Sequence, residues 1–344
     1  MLQVVPHLPP PFEGVGTYAA ALARELGGEG GFLVGDPAWT GSRENGARAV
    51  PARTAAALLA ALDAAGETGA ATGAVLLHYA NYGYQPRGCP AWLVEGMERW
   101  SGRLVTVFHE VCATGPPWRS SFWLRPAQRR LAAALARRSD AIVTTLDLYA
   151  GLLHPWTADR EIMVLPVFST VGEPAALPAW GERERRIVVF GGAGVRSRAY
   201  GPWLAALERA ARDLDAKEIV DIGPPIPLPA MAGGIPVRPL GVLPAGEVGA
   251  ILLDVAAGFL AYPPDFLPKS TIFAAYCAHG TLPVCAWNGS PTDPANAAPY
   301  WTGSGDPAQV AGDCHRWYAG HSLRVQAARF RALLTGPPGQ GRER

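Results

Sequence analysis

The sequence predicts an α/β protein built from two parallel-sheet domains facing across a cleft. Three observations carry that expectation. Short apolar runs of strand length alternate with longer stretches of helical periodicity, as an open parallel sheet requires. The alternation stops in a Pro- and Gly-bearing stretch that contains GERERR and restarts at Arg186. At 344 residues the chain is long enough for two cores. The expected domains are 1–170 and 186–320, joined by a linker over 171–185, with a C-terminal helix and tail over 321–344 returning to the first domain.

Composition bounds the function. Lys plus Arg number 30 against 29 for Asp plus Glu, so a net charge of +1 offers no electrostatic case for nucleic acid as a partner. Charged residues make up only 17%, and Ala, Gly, Pro and Arg are abundant, a GC-rich coding bias that leaves the apolar pattern intact. No apolar run reaches the roughly 18 residues of a membrane span. The start, MLQVVPHLPPPF, has neither the basic nor the apolar region of a signal peptide, so the expected location is cytoplasmic, or peripheral at the inner face of the membrane. The five cysteines have no CxxC spacing, which argues against a disulfide framework and a zinc site and for small buried hydrophobes.

In the first half, Leu2 to Val5 is a short strand, and GVGTYAAALARELGG is a helix with Tyr18, Leu22 and Leu26 on one face. Gly14 and Gly16 thus lie where a loop meets a helix N-terminus. Gly14-x-Gly16-x-x-Ala19 matches the dinucleotide fingerprint in residue type. That fingerprint starts at a strand end, however, and the eight residues that intervene here weaken a nicotinamide reading. The two glycines either face a ligand or make a flexible loop. Phe32 to Val34 and Ala74 to His78 are strands, with an Ala/Leu-rich helix over 53–65 between them. The loop HYANYGYQPRGCP follows, where Tyr82, Tyr84 and Arg87 make a polar, aromatic surface suited to a hydroxylated acceptor, or a tightly packed loop. After a helix over 91–100, the strand Leu104 to Phe108 ends in His109-Glu110, ionisable residues at the mouth of a parallel sheet. Residues 118–138 interleave Trp118, Phe122 and Trp123 with Arg119, Arg125, Arg129, Arg130, Arg137 and Arg138. That mixture suits peripheral contact with a membrane surface, an anionic lipid-linked acceptor, or a solvated arginine-rich helix face. The strand Asp140 to Thr144, the helix Leu146 to Leu153 and the strand Glu161 to Pro166 complete this half.

In the second half, Arg186 to Phe190 is a strand and GGAGVRSRAYG reads as its loop, with Arg196 and Arg198 just before a helix over 203–212. Strands over 217–222 and 235–239 and a helix over 246–253 follow. Gly258 to Tyr262 is the next buried strand, after which Pro263, Pro264 and Pro268 forbid regular structure until Lys269. Ser270 or Thr271 then caps a helix with Ile272, Phe273, Tyr276 and Cys277 on one face, ended by Gly280, and Leu282 to Ala286 resumes a strand. Lys269, Ser270 and Thr271 at a helix start, beyond the carboxyl end of a strand, suit a phosphate: N–H groups and the helix dipole point at the anion and the ammonium adds a full charge. The same residues also suit an ordinary cap beside a solvated lysine. A last helix runs over 322–334, and the tail GPPGQGRER is expected to be disordered.

The order of these features resembles the GT-B glycosyltransferases, whose two Rossmann-like domains carry such loops. Within them it is most similar to family 4, the type that serves bacterial polysaccharide and glycolipid assembly. The likeness covers nearly the whole chain. It implies a metal-independent glycosyltransferase, hexosyltransferase-like, moving a sugar from a nucleotide-diphosphate sugar donor to a hydroxyl of a carbohydrate or lipid-linked acceptor. The co-substrate takes the place of any cofactor. It further implies that Gly14 and Gly16 face the donor diphosphate and that His109 reaches the donor sugar. Arg196 or Arg198 pairs with the diphosphate, Lys269 is its second ligand, and the segment of Gly241 and Glu247 packs near the base. Charge-assisted hydrogen bonds and helix N-termini would then stabilise the leaving group without a metal.

The chain departs from the family at one point. Retaining members carry two glutamates eight positions apart, and here those positions fall on Leu267 and Ala275, or in an alternative register on Pro268 and Tyr276. Asp265 is the only acid nearby, so the catalytic candidates are His109, Glu110 and Asp265. The chain is expected to use a variant donor contact, an inverting mechanism with Glu110 or another acid as base, or no catalysis. A sugar-nucleotide epimerase and a non-catalytic binding or partner protein are the alternatives on the same architecture.

Overall fold

The computed structural model describes residues 1–9, 14–28, 31–41, 46–67, 73–157 and 160–336. Residues 10–13 of the Pro-rich run and 337–344 of the tail lie outside these. The chain divides into two compact units, Met1–Pro166 with Arg324–Arg344, and Val167–Leu323.

The first unit contains β1 (Leu2–Val5), α1 (Gly14–Glu25), β2 (Gly31–Val34), β3 (Arg48–Ala49), α2 (Ala55–Glu67), β4 (Ala74–Tyr79), α3 (Asn81–Tyr84), α4 (Ala91–Arg99), β5 (Arg103–Phe108), α5 (Ser120–Arg138), β6 (Ala141–Thr144), α6 (Asp147–Leu153) and β7 (Ile162–Val164). The strands form one sheet in the order β3-β2-β1-β4-β5-β6-β7, and each neighbouring pair is parallel. Near-continuous apolar runs such as LQVV and AVLLHY are buried along their whole length, as strands covered on both faces must be. The chain runs outward from β1 to β3, then returns to place β4 on the other side of β1. The crevice beyond the carboxyl ends of β1 and β4 is therefore a topological switch point, where open α/β sheets hold ligands.

The second unit contains β8 (Glu184–Phe190), α7 (Ala193–Tyr200), α8 (Leu204–Asp213), β9 (Glu218–Ile222), β10 (Met231–Ala232), β11 (Ile235–Gly241), α9 (Ala245–Asp254), β12 (Val255–Ala261), α10 (Thr271–Ala278), β13 (Leu282–Ala286) and α11 (Pro307–Ala319). Its sheet runs β10-β11-β9-β8-β12-β13, parallel except for the β10–β11 hairpin, so β8 and β12 flank a second switch point. The core between sheet and helices includes Ile187, Val189, Leu207, Ile219, Phe259 and Leu282. The last helix, α12 (Leu323–Thr335), lies almost wholly in the first unit, where Gln326 donates to Pro166 O at 2.6 Å and accepts from Tyr18 Oη at 2.6 Å.

Three sequence expectations are corrected here. The stretch read as linker, 171–185, belongs to the second unit, and its Arg183 is buried. That guanidinium donates to Leu252 O (2.9 Å), Val255 O (3.3 Å) and His279 O (2.6 Å), so it satisfies carbonyls at the C-terminal ends of α9 and α10. The stretch read as loop after β8 holds α7: Gly191, at φ +128°, turns the chain sharply enough for a helix to start at Ala193. The prolines after β12 do not exclude helix altogether. Residues Pro264–Lys269 form a 3₁₀ turn, with proline tolerated in its first positions, where an N–H would go unpaired anyway.

Candidate functional site

At the switch point of the second unit two helix N-termini meet. Gly191 and Gly192 lead from β8 into α7, and Ser270 leads from the 3₁₀ turn into α10. A Cβ on Gly191 would lie 2.4 Å from Ile272 Cδ1 in the first turn of α10, so glycine there is a condition of the close approach. Ser270 Oγ accepts from Phe273 N at 3.2 Å and its own N–H donates to Leu267 O at 2.9 Å. Ser270 is therefore the N-cap with both groups committed, and it does not offer them to an anion. Thr271 and Ile272 stand at the open end of α10, where helix N–H groups have no intrahelical acceptor. Lys269 immediately precedes the Ser270 cap, half-buried, with Nζ 5.9 Å from the Phe266 ring centroid.

The two arginines of α7, equivalent in sequence, have different roles. Arg196 is 1% exposed and forms a buried ion pair with Asp221: Nε donates to Oδ2 at 2.9 Å, Nη2 to Oδ1, and Nη1 to Pro224 O. All three nitrogens are engaged, so Arg196 is removed from the diphosphate candidates. It knits the turns after β8 and β9 together. A Cβ on Gly223 would lie 2.7 Å from Arg196 Nη1 and 2.3 Å from Gly191 O. Arg198 is half-buried, its guanidinium 6.0 Å from the ring centroid of Tyr262 at the end of β12, and its Nε is buried with no hydrogen-bond partner among the described residues. A buried donor left unpaired costs about 1–3 kcal/mol, which a bound acceptor would recover. Gly241 ends β11 at φ +72°, and Glu247 is exposed in the first turn of α9.

Of the positions where the resemblance expects two glutamates, Leu267 and Ala275 in one register and Tyr276 in the other are fully buried, and Pro268 is half-buried. Tyr276 packs where Gly258 leaves room for its ring, and its hydroxyl reaches the carbonyls of Val188 and Phe259 at 3.3 and 3.2 Å. Asp265 accepts from Thr292 N (2.7 Å) and Thr292 Oγ1 (2.6 Å), which ties the 3₁₀ turn to the loop after β13. A carboxylate so committed fits an anchoring role and is a poor general base, a correction to its place among the catalytic candidates.

In the first unit the switch point holds a polar relay inside an apolar sheet. His78 on β4 is fully buried, with Nε2 2.7 Å from Gln3 Oε1 on β1 and Nδ1 3.1 Å from His109 Nε2, just beyond β5. Gln3 Nε2 donates to Ala19 O, which leaves Oε1 as a pure acceptor. His78 must then carry its proton on Nε2 and accept at Nδ1, so His109 donates from Nε2. Burial, reinforced by the neighbouring His109, holds His78 well below the ordinary histidine range, which keeps it neutral and preserves this tautomer. Tyr18 sits edge-on to both rings, with centroids 5.8 and 5.3 Å away. His109 and Glu110 both bond through their N–H groups to Tyr79 O, so the chain turns off the sheet there. Gly14 opens α1 exposed, with open space where a Cβ would be, whereas Gly16 is buried in the first turn.

The tyrosine loop divides. Tyr84 is fully buried and its hydroxyl bonds Val4 O and His78 O, both at 3.1 Å, so it braces the relay from behind and is removed from the acceptor-side candidates. Tyr82 is 37% exposed and Arg87 is exposed. Buried Gln128 of α5 fixes this surface: its Nε2 donates to Tyr82 Oη (2.9 Å) and Arg87 O (3.1 Å), and its Oε1 accepts from Ala113 N (2.8 Å). Gln3, Tyr18, His78 and Gln128 escaped the sequence reading. Gln3 and His78 are polar residues inside otherwise apolar strands, and that was the available signal.

No protein-family model and no curated protein matches this sequence. Solved structures do match. An alpha-glucosyltransferase in complex with UDP and a DNA oligomer containing an HMU base superposes with TM-score 0.57 at 11% identity, over 97% of this chain and 99% of that one. A glycosyltransferase involved in avilamycin A biosynthesis gives 0.52 at 14% identity, over 98% and 99%. A protein from Listeria monocytogenes assigned as a UDP-N-acetylglucosamine 2-epimerase gives 0.50 at 11% identity, over 96% and 94%. The chain thus has the GT-B fold, with a Rossmann-like parallel sheet in each unit.

Proposed function

We propose that this chain is a metal-independent glycosyltransferase that takes a sugar from a nucleoside-diphosphate sugar to a hydroxyl of a carbohydrate or lipid-linked acceptor. One observation carries the reading. Around the β8/β12 switch point stand the open end of α10, the Lys269 that leads into it, and Arg198 of α7, whose buried Nε is unpaired among the described residues and whose guanidinium lies 6.0 Å from the Tyr262 ring just beyond β12. That is a place for a doubly charged leaving group. Departure of the nucleoside diphosphate develops negative charge on the bridging oxygen, and fixed N–H dipoles with two cations stabilise it without reorganising. The GT-B likeness supports the same assignment at the level of fold.

Roles follow by chemistry. Arg198, Lys269 and Thr271 hold the diphosphate. His109, held in one tautomer by His78 and Gln3, orients the sugar. Tyr82 and Arg87 serve the acceptor, and Gly14 and Gly16, at the start of α1, are assigned to the donor diphosphate by the resemblance to GT-B enzymes. With no carboxylate at the paired-glutamate positions, Glu110 is the candidate base for an inverting transfer. The test is release of nucleoside diphosphate from UDP-, GDP- and dTDP-sugars with and without sugar or lipid-linked acceptors. Acceptor-dependent release supports transfer. Solvent deuterium entering the sugar without acceptor would establish epimerisation instead, and no binding of any nucleotide would leave a partner protein.

A further inference from the structure

We propose that α5 docks this protein onto an anionic membrane surface, with Trp118 and Trp123 as interfacial anchors and Arg119, Arg130 and Arg137 as the charges that select acidic lipid. No Asp or Glu stands between Glu110 and Asp140, so this stretch is purely basic in a chain whose net charge is only +1.

The structure separates the six arginines by what they do. Arg125 donates to Ala113 O (2.8 Å) and Gly115 O (2.9 Å), Arg138 donates to Trp100 O and Gly102 O, and Arg129 lies over the Trp156 ring at 5.5 Å. Those three hold α5 to its own unit. Arg119, Arg130 and Arg137 are exposed, and among the described residues their side chains make no ion pair or hydrogen bond. Trp123, Arg130 and Arg137 are spaced seven apart, so they share one stripe of the helix at intervals of about 10 Å. The opposite face buries Gln128, Ala132, Leu135 and Ala136. The helix is thus fixed to its sheet, and its outer stripe is presented without unfolding anything.

Two tryptophans stand out of this surface, Trp118 82% and Trp123 73% exposed. Trp118 stands in the loop just before α5 and Trp123 in its first turn, where its ring meets Phe122 edge-on with centroids 5.5 Å apart. Indole rings at headgroup depth flanked by arginines on anionic lipid are the chemistry of an interfacial helix. Because α5 begins after β5, the anchors lie at the carboxyl edge of the sheet, the same edge as Tyr82 and His109. A docked protein would hold that edge close to the lipid surface, where a lipid-linked hydroxyl is presented. No helix among the described residues is long and apolar enough to cross a membrane, so this contact would be peripheral.

The test is co-sedimentation of the full chain with vesicles of phosphatidylcholine alone or mixed with phosphatidylglycerol, over a range of salt. Binding to the mixed vesicles only, weakening as salt rises, is the expected result, with about fivefold loss for each of Arg119→Gln, Arg130→Gln and Arg137→Gln. Trp118→Ala with Trp123→Ala should abolish quenching by brominated lipid while the melting temperature stays unchanged, because both residues are exposed. Four outcomes would overturn the proposal: equal binding to neutral vesicles, no binding, binding indifferent to these variants, or loss of self-association in the same variants by analytical ultracentrifugation, which would make the stripe a contact between copies. This inference does not depend on catalysis, so vesicle binding by a chain that transfers no sugar would leave it standing.

Discussion

His78 Nδ1 accepts a hydrogen bond from His109 Nε2 at 3.1 Å, and Gln3 fixes the direction of that bond from two strands away in the same sheet. A histidine at the mouth of the sheet is thereby held in one tautomer by residues that touch nothing outside the protein. Gln3→Leu should leave His78 Nε2 buried and unpaired, at a cost of about 1–3 kcal/mol in stability. It should also lower transfer rate while nucleoside-diphosphate affinity stays near wild type. His109→Ala should show the same split of rate from affinity, with a stability cost of the same order, since His109 is buried and its loss leaves His78 Nδ1 without a donor. Rate, affinity and melting temperature measured side by side decide this.

Buried histidines also set a pH dependence. His78 in the first unit and His279 in the second are both held below the ordinary value, in each case chiefly by burial. In the unfolded chain they titrate near pH 6.5, so below that pH the unfolded state binds protons that the folded state refuses. Stability should be level above about pH 7 and fall as pH drops below about 6.5, by up to about 1.4 kcal/mol per pH unit per histidine. Thermal melts between pH 8 and 5 check the sign; a chain that gains stability on acidification would contradict the placement of both residues.

Arg196 and Asp221 are expected to matter for folding and Arg198 for ligand. Arg196→Ala strands a carboxylate in the core and should cost about 3–5 kcal/mol, much of it regained when Asp221→Leu is added to Arg196→Met. Arg198→Ala removes a buried donor that has no partner among the described residues, so it should leave the urea midpoint at or above the wild-type value yet weaken nucleoside-diphosphate binding roughly tenfold. Glu110→Gln, if that carboxylate is the base, should abolish transfer at every accessible pH.

Much of the fold was legible because strand runs such as AVLLHY and VAAGFLA are apolar along nearly their whole length, as strands of a doubly covered parallel sheet are. The restart at Arg186 located the second sheet for the same reason. The site was less legible. Arg196 and Arg198 differ only in which side of α7 they occupy, and nothing in VRSRA distinguishes them until Asp221, at the end of EIVDI, claims one. Tyr84 reads like Tyr82 until the tight turn of α3 sends one ring inward and the other out. Polar residues within apolar strands, Gln3, His78 and Asp221, were the signal available for the buried networks, and the sequence reading passed over it.

Titration calorimetry of a nucleoside diphosphate into wild-type protein and Lys269→Ala tests the donor site most directly. Lys269 precedes the open end of α10, and a charged hydrogen bond to diphosphate is worth about 1.5–3 kcal/mol, so the expected result is saturable binding by the wild type and at least about tenfold weaker binding by the variant, at equal thermal stability. Equal affinity in the two proteins would contradict the assignment of the β8/β12 switch point as the place where the leaving nucleotide is held.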